Sequence, residues 1–171
     1  LLLTPVSPAT ALAQADSVGR YPTVFADQAD NTGGGAPGDS TEVLQLFIDR
    51  DLRDALVLYM VDPEIAALAH RRGIGTVLDI ALGGKSSLTA GRATRCRAEV
   101  VGLTSGEFVY DGPMWCGKRS TMGPSTWLRI GGVSVVVTSL RSQPVDTAFC
   151  RTLGIDVAAF RYIAVKSTGH F

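Results

Sequence analysis

Hydrophobic residues group into runs of strand length at three places in the first half of the chain. Residues 22–27 read P-T-V-F-A-D, residues 54–61 read D-A-L-V-L-Y-M-V, and residues 76–82 read T-V-L-D-I-A-L. The middle run is apolar without interruption, which is typical of a strand covered on both faces, as the strands of a parallel sheet are. We therefore expect three strands here, at least one of them fully buried.

Two segments between these runs carry the hydrophobic spacing of helices. Residues 43–50 follow the sequence D-S-T-E, which fits a capping box with Asp39 as the N-cap. A second helix is predicted over residues 62–73, because Asp62 can cap it, a proline occupies its first position and a glycine ends it. Strands alternating with helices in this way indicate a parallel sheet with right-handed crossovers.

Shorter runs separated by glycine-bearing turns characterise the second half of the chain. The predicted strands cover residues 94–104, 107–110, 126–130 and 133–139. Their spacing indicates antiparallel hairpins. The remaining predicted elements are helical segments over residues 144–153 and 157–160 and a last strand over residues 162–166. We therefore predict one α/β domain over residues 1–171 with a mixed sheet, a parallel βαβαβ unit in its first half and antiparallel hairpins in its second.

The start of the chain, residues 1–15, admits two interpretations. Its leucine-rich opening and the sequence A-L-A-Q-A resemble a secretory signal that ends in an A-x-A cleavage site. Alternatively, Ser7 is the N-cap and Pro8 the first residue of a short helix. The helix is favoured, because the apolar run lacks a basic segment and is interrupted by polar residues and prolines.

Composition narrows the range of partners. Among 171 residues, 16 are Lys or Arg and 16 are Asp or Glu, so no basic surplus exists for a phosphate backbone and no nucleic-acid partner is expected. No apolar run approaches the ~20 residues of a bilayer-spanning helix, and no membrane association is expected. The cysteines Cys96, Cys116 and Cys150 form no C-x-x-C pair. They indicate neither a disulfide framework nor a zinc knuckle and favour a reducing, cytoplasmic location.

The densest set of candidate functional residues lies between the first predicted strand and the next helix, where open α/β sheets usually bind ligands. The set comprises Asp27, Asp30, Asn31, Gly33, Gly34, Gly35 and Asp39. Consecutive glycines let a partner approach the backbone closely, and N–H groups at the start of a helix favour an anionic or carbonyl ligand. The segment matches neither phosphate-loop pattern, and its aspartates would repel phosphate. The alternative is a structural turn in which Asp39 merely caps the helix.

The polar end of the chain, K-S-T-G-H-F over residues 166–171, is a second candidate. Lys166 and His170 at the mouth of a strand can provide a cation and a general base, whereas the alternative is a frayed terminus. The other histidine, His70, lies near a predicted helix end, where a favourable dipole contact explains it. A catalytic zinc needs three protein ligands, and these scattered histidines and cysteines indicate no metal site in this chain.

Seven short motifs follow one another along the chain. They are A-D-x-x-D-N-x-G-G-G-A-P-G-D-S-T (26–41), D-P-E (62–64), G-x-G (73–75), L-G-G-K (82–85), T-S-x-R-x-Q (138–143), G-I-D (154–156) and K-S-x-x-H-F (166–171). Each motif alone has little specificity. Together and in this order they resemble the C-terminal domain of the MlrC (microcystinase C) family of metallopeptidases, over nearly the whole chain from about Ser7 to Phe171.

The resemblance implies a zinc-dependent amide or peptide hydrolase. In that family a larger N-terminal domain supplies the zinc ligands, and the family pattern continues past Phe171. This chain is therefore expected to need a family N-terminal domain as its partner, to complete the cleft for a peptide or amide substrate, and to be inactive alone. No zinc ligand carries over to it.

The resemblance also suggests roles for the candidate residues. The loop residues Asp27, Asp30, Asn31, Gly33, Gly34, Gly35 and Asp39 would bind substrate. Lys166 and His170 would be catalytic, by binding a substrate carboxylate or stabilising charge that develops during hydrolysis. The alternative is a non-catalytic module whose glycine loop binds a small anion or a partner segment.

These two segments are expected to lie close together. If the first and last strands run parallel in one sheet, their carboxyl ends open on the same edge. Pockets favour domain interfaces, so we also expect an exposed apolar surface beside residues 30–39 and 166–171, where a partner domain would bind.

Overall fold

The structure is a computed structural model that describes residues 4–86 and 90–169. Its helices are α1 (Pro8–Val18), α2 (Glu42–Asp49), α3 (Pro63–Arg72) and α4 (Ala148–Arg151), with 3-10 turns at Thr32–Gly34 and Val157–Ala159. Its strands are β1 (Thr23–Ala26), β2 (Ala55–Val61), β3 (Val77–Leu82), β4 (Thr94–Thr104), β5 (Glu107–Val109), β6 (Arg119–Thr121), β7 (Ser125–Ile130), β8 (Val133–Thr138) and β9 (Tyr162–Val165).

Two of the predicted helix caps are confirmed and one is wrong. The Ser7 hydroxyl accepts a hydrogen bond from the N–H of Thr10 at the start of α1, and the Asp62 carboxylate accepts one from the N–H of Ile65 at the start of α3. Helix α2, in contrast, begins at Glu42 with Thr41 as an N-cap whose hydroxyl makes no capping bond and donates instead to the Arg92 carbonyl at 2.9 Å. Asp39 is not its cap, because the carboxylate of Asp39 bonds to a different turn, described below.

Seven strands form one mixed sheet in the order β1-β9-β2-β8-β7-β4-β3. Strands β1, β9, β2 and β8 are parallel, and β7, β4 and β3 continue the sheet in antiparallel pairing. The predicted α/β class with a mixed sheet is therefore confirmed. The division into parallel and antiparallel parts does not follow chain order, because the late strands β8 and β9 lie beside β2 in the parallel part.

The third strand, β3, differs from the expected βαβαβ unit. It forms the far edge of the sheet, pairs antiparallel with β4, and runs opposite to β2. Its side chains alternate between exposed and buried, as in a strand with one face in water. The local signals of strand and helix are the same for either arrangement, so the choice of neighbour depends on the later strand β4.

One predicted hairpin of the second half is present and one is wrong, because β4 pairs with β3 and β7 and not with β5, the next strand along the chain. Strands β7 and β8 pair as a hairpin, while β5 pairs with the unpredicted β6 in a separate two-stranded sheet. The helix expected over residues 144–153 is confined to α4.

Hydrophobic clusters cover both faces of the sheet. One contains Leu44, Phe47 and Val135, and the other contains Tyr59 and Phe149. Burying such side chains contributes roughly 1.5–3 kcal/mol each. Strand β8 is buried along its whole length, so the packed parallel core holds the ends of its strands at one edge. No helix within the described residues is both long and apolar enough to cross a bilayer.

Candidate functional site

The carboxyl ends of the parallel strands bring the two candidate segments together. Strands β1 and β9 are neighbours, and Ala26 lies opposite Val165 in their register. The next residues, Asp27 and Lys166, therefore leave the sheet side by side. The expectation that the first and last strands end on one edge is confirmed.

Lys166 is the centre of this edge. It is 3% exposed, and its Nζ lies 2.8 Å from Asp30 Oδ2 and 3.1 Å from Asp27 Oδ2. The same nitrogen lies 2.9 Å from Ser40 Oγ and 3.0 Å from the Ser40 carbonyl oxygen. An ammonium has three N–H donors, so these partners saturate it. One buried cation thus holds two carboxylates, and the cluster carries a formal charge of minus one.

Asp30 also receives hydrogen bonds from the backbone of its own loop. Its two carboxylate oxygens accept from the N–H of Gly38 at 2.8 Å and from the N–H of Ser40 at 2.7 Å. Burial by itself raises the pKa of the Asp30 carboxyl. The hydrogen bond and charge of Lys166, with the two N–H groups, outweigh burial, and the net pKa lies below its ordinary value.

Asp27 is the more accessible of the two carboxylates. Its side chain is 12% exposed, and its Oδ2 accepts a hydrogen bond from the Ser40 hydroxyl at 3.3 Å. Ser40 is thus bonded to both Lys166 and Asp27. We refer to Asp27, Asp30, Ser40 and Lys166 as the lysine cluster. Sequence reasoning did not single out Ser40, whose only signal was its position inside the loop motif.

The glycine segment satisfies its own backbone. The N–H of Gly33 donates to Asn31 Oδ1 at 3.0 Å, and the N–H groups of Gly34 and Ala36 donate to the Asn31 carbonyl at 3.0 and 3.2 Å. The N–H of Gly35 donates to the Thr32 carbonyl at 3.2 Å. These four amides point into the turn, so the geometry does not present them to an anion.

Side-chain bonds attach this turn to the ends of β8 and β9. Asn31 Nδ2 donates to Thr168 Oγ1 at 3.3 Å, and Arg141 donates to the Gly35 carbonyl at 3.0 Å. The Thr32 hydroxyl donates to the Ser142 carbonyl. Arg141 belongs to the T-S-x-R-x-Q motif, but its partner could not be read from the sequence.

Asp39 lies in a different cluster. Its carboxylate accepts from the N–H groups of Lys85 and Ser86, each at 2.8 Å, and from the Ser86 hydroxyl at 2.5 Å. The ammonium of Lys85 in turn contacts Asp62 Oδ1 at 3.0 Å. Asp39 therefore holds the turn that follows β3, and this use of its carboxylate explains why it does not cap α2.

The structure brings together four of the predicted site residues, namely Asp27, Asp30, Asn31 and Lys166. Gly33, Gly34 and Gly35 form an exposed turn beside them, and Asp39 is in the neighbouring cluster. His170 lies outside the described residues. The part of the end segment that is described, up to Gly169, lies against the loop as expected.

A groove of about 1110 Å³ opens beside the lysine cluster. It runs between α1, β1 and α2, and its walls include Val6, Ala11, Val24, Phe25 and Val43. Asp27, Asp30 and Ser40 form its polar end. The groove reaches the loop at Asp30, Pro37 and Ser40, but no described residue of 166–169 lines it, so the expected apolar surface is found beside the loop only.

The lysine cluster does not fit a zinc ion. Within residues 4–86 and 90–169, no group of three or more His, Cys, Asp or Glu side chains is placed to hold a metal. The ammonium of Lys166 occupies the position between Asp27 and Asp30 where a cation would bind, and a catalytic zinc needs three protein ligands.

Comparison with known proteins identifies relatives of this chain. The model of the protein family described as MlrC C-terminus matches residues 25–171. Microcystinase C from Sphingomonas sp is 30% identical over 148 residues, which cover 86% of this chain and 28% of that protein. The chain thus spans little more than a quarter of the length of this relative.

A solved structure shares the fold. The crystal structure of a protein provisionally named a metallopeptidase, from Mesorhizobium sp. BNC1, matches with a TM-score of 0.85 at 22% sequence identity. The match covers 98% of this chain and 34% of that one. At this identity the likeness shows the architecture and leaves activity to other observations.

Proposed function

Because the chain belongs to the family of MlrC C-terminal domains, we propose that it is the C-terminal domain of a zinc-dependent amide or peptide hydrolase and completes the substrate cleft. The observation that carries this proposal is the lysine cluster, in which a buried cation aims Asp27 into a large groove. Zinc would be held by a family N-terminal domain, because the described residues of this chain do not fit it.

The chain's own residues would orient the substrate. Asp27, at the polar end of the groove, can accept a hydrogen bond from an amide N–H or a cationic group of a peptide. Lys166 would act as a positioning residue, since its donors are already engaged by Asp27, Asp30 and Ser40. The catalytic roles predicted for Lys166 and His170 stay predictions.

The other predicted substrate-binding residues would shape the wall of the cleft. Asn31 and the exposed glycines form a turn that is tied to the ends of neighbouring strands. Asp39 would support this wall from behind, through its bonds to Lys85 and Ser86. We also propose a cytoplasmic location, because the three cysteines are free thiols.

A reconstitution experiment tests the proposal. The chain is mixed with the part of Microcystinase C that lies outside the matched region, and hydrolysis of peptide and amide substrates is followed with and without zinc. We expect the mixture to be active only with zinc and the chain alone to be inactive. Asp27→Asn should lower kcat/KM by about tenfold or more, whereas Asp49→Asn, away from the groove, should not. A mixture that neither associates nor hydrolyses counts against the proposal.

A non-catalytic partner-binding module is the second candidate, favoured by the apolar groove. A module that binds a small anion through the glycine loop has less support, because the glycine N–H groups donate to acceptors within their own turn. Titrating the chain with phosphate, acetate and zinc separates the possibilities. Tight anion binding that does not depend on metal would favour the module over the hydrolase domain.

A further inference from the structure

Within the described residues, β1 is an edge strand of the main sheet and pairs only with β9. The N–H groups of Thr23 and Asp27 donate to the Arg161 and Val165 carbonyls, both at 2.8 Å. Backbone groups alternate in direction along a strand, so the N–H groups of Val24 and Ala26 point away from β9. Val24 is 41% exposed.

This edge is protected only by the short length of β1, four residues, and by Pro22 directly before it, since no lysine, proline or bulge lies within the strand. Edge strands commonly carry lysine, proline or a bulge that prevents pairing with another chain. Strand β1 reads T-V-F-A and is paired with β9 in continuous register. An uncharged, regular edge is a template for an additional strand.

The groove beside this edge suits an extended polypeptide. Small-molecule pockets measure roughly 300–1,000 Å³, and this groove, at about 1110 Å³, is large for one. All of Thr23–Ala26 lines it, together with apolar residues of α1 and α2. A strand laid along β1 would therefore place its side chains against apolar walls.

The charges that line the groove indicate which side chain a bound polypeptide would carry at its polar end. The charged residues that line the groove are Asp27, Asp30 and Glu42, with no lysine or arginine among the described lining residues. Lys166 neutralises only one of the two aspartates in the lysine cluster. The polar end of the groove is therefore complementary to a basic side chain.

The relatives supply a source for such a segment. More than two thirds of Microcystinase C, and about two thirds of the Mesorhizobium protein, lie outside the part that matches this chain. In a family whose matching domain is C-terminal, the preceding region is long enough to supply a segment that packs against it. The groove beside β1, at about 1110 Å³, offers a concave surface for that contact.

We propose that an extended segment of the preceding region of the family protein docks on β1 as an eighth strand of the main sheet, with apolar side chains in the groove and a basic side chain at Asp27. The proposal rests on the proposed function, because its occupant belongs to the partner domain that function requires. It adds the mode of docking and the chemistry of the docking segment.

Synthetic peptides test this docking. Overlapping 12-residue peptides spanning the part of Microcystinase C outside the matched region are titrated against the chain by fluorescence polarisation. We expect binding to be confined to peptides with apolar residues around an Arg or Lys. Replacing that basic residue by Gln, or N-methylating alternate peptide amides that would face β1, should weaken binding by about tenfold.

A matched pair of variants tests the edge itself. Val24→Pro removes an N–H that points away from β9, a position where an edge strand tolerates proline, and should weaken peptide binding by about tenfold. Val24→Thr retains the N–H and should bind like the parent chain. Thermal unfolding establishes that both variants are folded, and the N-methylated peptides repeat the test without altering the protein.

The outcomes separate this proposal from the proposed function. Absence of peptide binding, or binding that survives both Val24→Pro and N-methylation, overturns the docking mode. So does sedimentation showing that the chain dimerises through this edge, since the occupant is then a second copy. If Val24→Pro leaves zinc-dependent hydrolysis by the reconstituted mixture unchanged, docking on β1 fails while the hydrolase function stands. If peptides dock on β1 but the reconstituted mixture hydrolyses no substrate, the docking mode stands and the proposed hydrolase function fails.

Discussion

Lys166 and Asp30 are buried charges that depend on each other. The ammonium lies 2.8 Å from the Asp30 carboxylate and is removed from water, as is its partner. Breaking a buried ion pair by removing one partner leaves an uncompensated charge, which costs more than the pair itself contributes. The cluster therefore links the stability of the domain to the orientation of Asp27 at the groove.

Lys166→Met tests this dependence. The variant leaves Asp27 and Asp30 without their counter-ion, and we expect the free energy of unfolding to fall by about 3–5 kcal/mol. Urea denaturation monitored by circular dichroism measures the change. Lys118→Met is the matched control. Lys118 is exposed, and its ammonium lies over the ring of Trp115. Its cost should stay below about 1 kcal/mol. Equal losses of unfolding free energy in both variants would contradict the predicted dependence of the buried aspartates on Lys166.

The lowered pKa of Asp30 predicts an acid-sensitive contribution to stability. A carboxyl whose pKa is lower in the folded than in the unfolded chain stabilises the fold above its unfolded pKa. That contribution is complete above the ordinary value of 3.8 and is lost as the pH falls below it, through the lowered pKa. We expect the free energy of unfolding to drop between pH 5 and pH 3 by less in Asp30→Asn than in the parent chain, as measured by urea titrations at each pH. Identical drops would contradict the assignment.

The turn after β3 connects the polar clusters to the rest of the sheet. Gly83 has a φ of +65° and packs so closely that a Cβ would lie 2.3 Å from Met60 Cε and 2.6 Å from the Asp39 carbonyl. Its N–H donates to Asp62 Oδ2 at 3.0 Å. Only glycine combines this left-handed conformation with such a close approach. The L-G-G-K motif therefore has a packing role, whatever the activity of the domain.

Gly83→Ala should lower the free energy of unfolding more than the same substitution at Gly131. Gly131 has a similar φ of +58°, but no atom lies within 4 Å of where its Cβ would be. We expect Gly131→Ala to cost about 1–2 kcal/mol, from the left-handed backbone alone. Gly83→Ala should cost about 2–5 kcal/mol, since overpacking against a backbone carbonyl adds to that term. Urea denaturation of both variants measures the difference, and equal costs would contradict the predicted close packing.

The fold as a whole determines which thiols are reactive. Cys116 is exposed, Cys96 is half-buried and Cys150 is buried. Burial raises the pKa of the Cys150 thiol to about 12 and that of Cys96 to about 11. Only the thiolate is nucleophilic, so the buried thiols react slowly while the domain is folded.

Labelling with an aromatic disulfide reagent at pH 8 should therefore distinguish the thiols. We expect one fast-reacting thiol in the folded chain and all three in urea, with Cys116→Ser removing the fast phase. Because the slow phases report opening of the core, Lys166→Met should accelerate them. Fast labelling of Cys150 in the folded parent chain would show that α4 is not packed as described.

Much of the local structure could be predicted because its signals are short-range. The uninterrupted run of β2, the caps Ser7 and Asp62, and the turns between hairpins depend on a few consecutive residues. The pattern also indicated that the first and last strands end together, which places Asp27 near Lys166. The resemblance carried by the ordered motifs identified the family.

The tertiary structure decided which distant segments of the chain pair with each other. The position of β3 depends on β4, and Asp39 bonds to Lys85 and Ser86 because the turn after β3 folds back onto it. Lys166 is paired twice with aspartates nearly the whole chain away, so its burial could not be foreseen from its neighbours. Strand β1 lies at the edge of the sheet with the last strand, β9, as its neighbour in place of β2, the next strand along the chain. Local propensities act over a few residues, whereas sheet order and buried charge pairs depend on the whole chain packing at once.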